Sequence, residues 1–69
     1  MKDIIAKRLR DIMNEKNVNQ VELAKAIANE IKTFSSWLSA KKAPRLISLW
    51  KLADYFDVSV DYFVGRANF

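Results

Sequence analysis

The chain has one glycine and one proline in 69 residues, and this scarcity of backbone punctuation narrows its folds more than any other feature. A sheet of several strands needs frequent turns, and turns draw heavily on those two residues. Apolar residues instead recur at helical spacing, as in Ile5, Leu9, Ile12 and Met13, or in Leu46, Leu49, Trp50, Ala53 and Phe56. Half of the residues, 51%, are hydrophobic, a balance that suits a packed domain rather than a disordered one. The expectation is a single all-α domain over residues 1–69.

Capping chemistry divides the chain into five helices. Asp3 is placed to cap a first helix running to about Lys16, with Asn17, which tolerates the left-handed conformation, as its stop. Asn19 followed by Glu22 resembles a capping box and opens a second helix from Gln20 to about Ile27. A third begins near Asn29 or Glu30 and runs to about Leu38, although Ala28 offers no glycine at the break. Pro44 sets the entry to a fourth helix, roughly Leu46 to Phe56. Ser59 caps a short fifth helix, with Val58 and Phe63 spaced as a hydrophobic staple and Gly65 placed to end it.

Missing parts exclude several function classes. The chain has no cysteine and no histidine, so disulfides, thiolate nucleophiles, Ser-His-Asp chemistry and ordinary zinc sites are ruled out. Asp54, Asp57 and Asp61 lack the spacing of a calcium loop, and Asp61 is better placed as a first-turn acid of the last helix. Glu22 and Glu30 would need a pocket to act as acid or base, and a chain this short has little interior in which to build one. No metal, no cofactor and no enzymatic activity are expected. The opening MKDIIAKRLRDIM contains no uninterrupted apolar run, so neither a signal peptide nor a membrane span is expected, and the protein reads as soluble and cytoplasmic.

Charge is unevenly spread. Residues 1–15 set Lys2, Lys7, Arg8 and Arg10 against Asp3, Asp11 and Glu15, and the last 24 residues set Lys51 and Arg66 against Asp54, Asp57 and Asp61. Residues 16–45 carry Lys16, Lys25, Lys32, Lys41, Lys42 and Arg45 against only Glu22 and Glu30, which equals the net +4 of the whole chain. A basic middle is compatible with simple solubility. Two short helices joined by a tight turn, with cations just beyond, also form the layout in which one helix lies in the DNA major groove while its neighbour crosses the phosphates.

The stretches NQVELAKAIANEIKTFSSW, KKAP and LWKLADYFDVSVDYFVGR carry a resemblance to the phage repressor and Cro-like, or XRE, helix-turn-helix family. It extends from about Lys7 to Arg66. Its most specific parts are Gln20-x-Glu22-Leu23-Ala24, Phe34-x-x-Trp37 and LADYFDVSVDYFVG. The resemblance implies a compact five-helix bundle, similar to the lambda repressor DNA-binding domain, with the motif at about residues 20–38. It further implies a transcriptional regulator, of phage or plasmid repressor type, that binds double-stranded operator DNA as a homodimer in a bacterial or phage-infected cytoplasm.

By position, the resemblance puts Gln20 at a phosphate contact that also braces the reading helix, with Asn19 as an auxiliary donor. An amide suits both tasks because it donates and accepts. Ile31, Lys32, Ser35 and Ser36 fall where the family meets base edges. Lys32 suits guanine, a phosphate or plain solvent, and Ile31 either meets a thymine methyl or packs half-buried against the second helix. Phe34 and Trp37, with Leu38, form an apolar stripe that reads as core rather than as stacking platforms. Ser39, Lys41 and Lys42 occupy the loop where the family binds phosphate through main-chain amides and basic side chains. Arg45 replaces a small capping residue, weakening the cap while adding positive charge. Ile47, Trp50, Tyr62 and Phe69 are candidates for a dimer surface, some of them necessarily core, and Ile47 stands where the family more often has a polar residue. The alternative is a protein-interaction module on the same fold, such as an antitoxin or anti-repressor with an unidentified protein partner. Such a module need not keep Gln20, Lys32, Lys41 and Lys42 on one side.

Overall fold

A computed structural model of the chain describes residues 1–27 and 30–69. Five helices are present among them: α1 (Lys2–Lys16), α2 (Gln20–Ala26), α3 (Ile31–Leu38), α4 (Leu46–Phe56) and α5 (Val60–Phe63). No strand occurs among the described residues. The expectations for Ala28 and Asn29 lie outside the described residues.

The helices form because each has an apolar stripe to bury. Ile5, Leu9, Ile12 and Met13 line the inner face of α1, Leu23 and Ala24 that of α2, and Phe34 and Trp37 that of α3. Leu49, Leu52, Ala53 and Phe56 of α4 and Phe63 of α5 complete one cluster. At about 1.5–3 kcal/mol for each large side chain removed from water, this cluster is the main favourable term in folding. α1 packs on α3 and α5, α2 on α3, and α4 on α5. Of the motif pair, α3 is therefore held between α1 and α2.

Helix ends follow local chemistry, with one correction at the start. The N-cap of α1 is Met1 and has no side-chain cap bond, whereas Asp3, expected as the cap, lies within the first turn. There its charge still complements the helix dipole. The Asn19 Oδ1 accepts from the Glu22 amide at 2.8 Å, and the Ser59 Oγ accepts from the Tyr62 amide at 3.2 Å. α4 begins at Arg45 without a side-chain cap, as its arginine implies.

A repeated C-terminal device closes α1, α3, α4 and α5. Each ends on a left-handed residue, Asn17 (φ 55°), Ala40 (φ 62°), Asp57 (φ 56°) and Gly65 (φ 82°) respectively. The next amide then reaches back to the helix: Val18 to Met13 O, Lys41 to Ser36 O, Val58 to Ala53 O and Arg66 to Asp61 O, each at 2.9–3.0 Å. This is the Schellman pattern, in which glycine is the usual left-handed residue. Only Gly65 meets that preference. A Cβ there would also come within 3.1 Å of the Ile4 side chain.

The apolar side chains of α4 and α5 divide between surface and core. Leu46 and Trp50, part of the helical spacing in α4, are 72% and 65% exposed, and Leu52 on the opposite side is buried instead. Tyr62, a candidate for a dimer surface, belongs to the core. Its hydroxyl donates to the Arg8 carbonyl at 3.3 Å, and the Arg8 guanidinium lies 4.8 Å from its ring centroid. The tail closes over this region: Arg8 Nη1 donates to Ala67 O at 3.2 Å and Ser59 Oγ to Phe69 O at 2.7 Å.

Candidate nucleic-acid interface

α3 presents two unlike faces. Its inner face holds Phe34 and Trp37, whose ring centroids lie 5.6 Å apart in a tilted pair, so both are core as the spacing implies. Its outer face lines an open groove of about 690 Å³ with Ile31, Lys32, Thr33, Ser35 and Ser36. Gln20 enters from the start of α2, and Ser39, Lys41 and Lys42 from the loop after α3. The groove thus brings together eight of the residues singled out from sequence. Asn19 and Arg45 do not line it, although both are exposed.

The electrostatics of the groove are one-sided. Among the described residues its lining holds an amide, hydroxyls and the ammonium groups of Lys32, Lys41 and Lys42, and no carboxylate. Outside the lining, the Arg10 Nη1 donates to the carbonyl of Leu38, the last residue of α3, at 2.8 Å. Positive charge at a helix C-terminus complements its dipole. Farther along α1, Lys7 donates to Asp11 at 2.8 Å. That bond, with the charges of Lys7, Arg10 and Arg8, holds the exposed Asp11 carboxyl below the ordinary aspartate range.

Hydrogen bonding within the motif restricts what each group can still offer. Ser36 Oγ donates to Thr33 O at 2.7 Å, so in this rotamer its hydroxyl faces outward only as an acceptor. Ser39 Oγ donates to Ser36 O at 3.3 Å. Asn19 uses its carbonyl oxygen in the cap and keeps its amide donors. The amides of Lys41 and Lys42 both turn back to Ser36 O, at 3.0 and 3.3 Å, and that of Ala40 to Trp37 O. These amides, which the family pattern pairs with basic side chains in binding phosphate, are thus engaged within the motif, while the Lys41 and Lys42 side chains line the groove.

Thr33 is the lining residue that the sequence does not single out, and Arg10 braces the end of α3 from outside the groove. Thr33 lies one position from Lys32 on a helix already identified, and α3 periodicity could have found it. Arg10 contacts a residue 28 positions away, for which no local signal exists. Ile47, Trp50 and Phe69 lie on the surface, 61%, 65% and 81% exposed, and Leu46 joins them.

Among the described residues, no helix is long and apolar enough to cross a membrane. Nor does any group of three or more His, Cys, Asp or Glu side chains there stand ready to hold a metal ion. Comparison with curated proteins and with solved structures gives no match. The helix-turn-helix family model HTH_3 matches residues 9–63, a span that contains α2, α3 and the groove over α3. The chain accordingly belongs to the XRE-type, Cro and repressor-like helix-turn-helix family of DNA-binding regulators.

Proposed function

We propose that the protein is a sequence-specific transcriptional regulator of repressor type, acting in the cytoplasm, that lays α3 in the major groove of operator DNA as a homodimer. The observation that carries this reading is the groove over α3, where Gln20, Lys32, Lys41 and Lys42 converge and the described lining holds no acid. A surface of that sign and shape suits a phosphate backbone with base edges between its strands. In this reading Lys32, Ser35, Ser36 and Ile31 face bases. Gln20, Asn19, Ser39, Lys41, Lys42 and Arg45 face phosphates. The whole of residues 1–69 acts as one reading unit.

Size supports pairing. One copy carries one such helix and measures 27 Å along its longest axis, short of the roughly 34 Å between successive major-groove faces on one side of a duplex. Leu46, Ile47 and Trp50 expose a contiguous apolar face of α4, and Phe69 an apolar tail, which would join two copies. That same α4 face favours the second reading, a protein-interaction module of antitoxin or anti-repressor type. Selection of binding sites from random duplex DNA separates the two. The proposal expects a two-fold symmetric site with half-sites about one turn apart; recovery of no preferred sequence would defeat it.

A further inference from the structure

Among the described residues, the groove over α3 holds a single aliphatic side chain, Ile31, at the first position of the helix and 48% exposed. The core does not require it there, because Phe34 and Trp37 already fill the inner face of α3. A lone exposed apolar residue is ordinary on a protein surface. Its neighbours give this one meaning.

The groove is poor in the side chains that read hydrogen-bond patterns on bases. Discrimination by paired hydrogen bonds comes mainly from arginine on guanine and from asparagine or glutamine on adenine. α3 supplies none of these, since its outer face is Ile31, Lys32, Thr33, Ser35 and Ser36. Lys32 is a point-charge donor on a flexible stem. Ser36 has its hydrogen engaged with Thr33 O. Serine and threonine hydroxyls accept or donate to many partners and select few. What Ile31 adds is the largest apolar contact that the described lining offers, with the Thr33 γ-methyl as the smaller alternative. In the major groove, the C5-methyl of thymine is the apolar group that base edges present.

We infer that Ile31 is a specificity-determining contact that reads the C5-methyl group of a pyrimidine, so that the protein distinguishes thymine from uracil and 5-methylcytosine from cytosine at one position of each half-site. The inference rests on the DNA-binding reading above. Because the contact is with the methyl group rather than with the base edge, it responds to C5 methylation on either pyrimidine.

The test uses a duplex recovered by the protein from random DNA. Each thymine of a half-site is replaced singly by deoxyuridine, and at the sensitive position cytosine is compared with 5-methylcytosine. All duplexes are measured with the wild-type chain and with Ile31→Ala. Deoxyuridine leaves the protein unaltered, and Ile31→Ala removes an exposed side chain, so loss of folding does not enter. One position should weaken about fourfold on loss of the methyl, the equivalent of about 0.8 kcal/mol for one buried carbon. Ile31→Ala should erase that difference and the preference for 5-methylcytosine, with the salt dependence of binding unchanged. Equal binding of every deoxyuridine duplex, with salt dependence intact, overturns the inference and leaves DNA binding standing. A methyl effect that persists in Ile31→Ala also overturns it. Failure to bind any duplex overturns both.

Discussion

The Arg10 guanidinium donates to the Leu38 carbonyl at 2.8 Å, joining α1 to the last residue of the helix that lines the groove. This bond fixes the far end of α3, whose middle is held by Phe34 and Trp37 in the core. Arg10→Met keeps most of the stem and removes the donor. The expected cost in stability is about 1 kcal/mol, because the bond is exposed, read as a fall in thermal midpoint. Operator affinity should fall more than affinity for random DNA, since a loosened α3 loses register before it loses charge. Equal losses would mean that Arg10 acts only as a cation.

Ala40 closes α3 in the left-handed region at φ 62°. An L residue with a Cβ is strained there by about 1–2 kcal/mol, and glycine recovers that less its larger unfolded-state entropy. Ala40→Gly should therefore stabilise the domain by about 0.5–1 kcal/mol, raising the midpoint by roughly 3–6 °C for a chain of this size. Calorimetry checks it. An unchanged or lowered midpoint would show that the strain is absent.

Lys42 and Lys32 line the same groove but are assigned different duties. Lys42→Ala should weaken every duplex alike and reduce the salt slope by about one contact. Lys32→Ala and Ser36→Ala should instead change which sequence is preferred. Competition binding on a panel of point-substituted sites distinguishes them. Identical profiles for all three would refute the division into backbone and base contacts.

Trp50 is 65% exposed beside Ile47 and Leu46. Trp50→Arg should leave the helical circular dichroism and the unfolding midpoint nearly unchanged, as surface substitutions do, within about 0.5 kcal/mol. In sedimentation it should abolish self-association and leave one copy per operator, where the proposed dimer would place two. A wild type that stays monomeric at all concentrations, on and off DNA, would remove the dimer from the proposal.

The parts of this fold legible in the sequence are those set by neighbouring residues. Asn19 and Ser59 announce helix starts through their own side-chain hydrogen bonds, Asn17 a helix end through its tolerance of the left-handed conformation, and the limits of α4 follow from Pro44 and from the periodic run to Phe56. Most of the groove was legible for the same reason, since its residues lie on one short helix and the loop that follows. Ala40 gave no warning, because alanine carries no left-handed preference. The partition of α4 into buried and exposed faces was hidden by apolar residues on nearly all sides. Tyr62 was misplaced because its burial depends on α1 and on the tail, through Arg8, Ala67 and Phe69. Such contacts join residues far apart in sequence, beyond the reach of any window.

Salt dependence of binding to random duplex DNA tests the central claim most directly, because it needs no knowledge of the operator. Each neutralised phosphate releases counterions and lowers the logarithm of the association constant by about 0.9 per decade of salt. With Lys41, Lys42 and Arg45 placed on phosphates, the expected slope is about −3 per copy. A slope near zero would contradict a DNA-binding groove over α3.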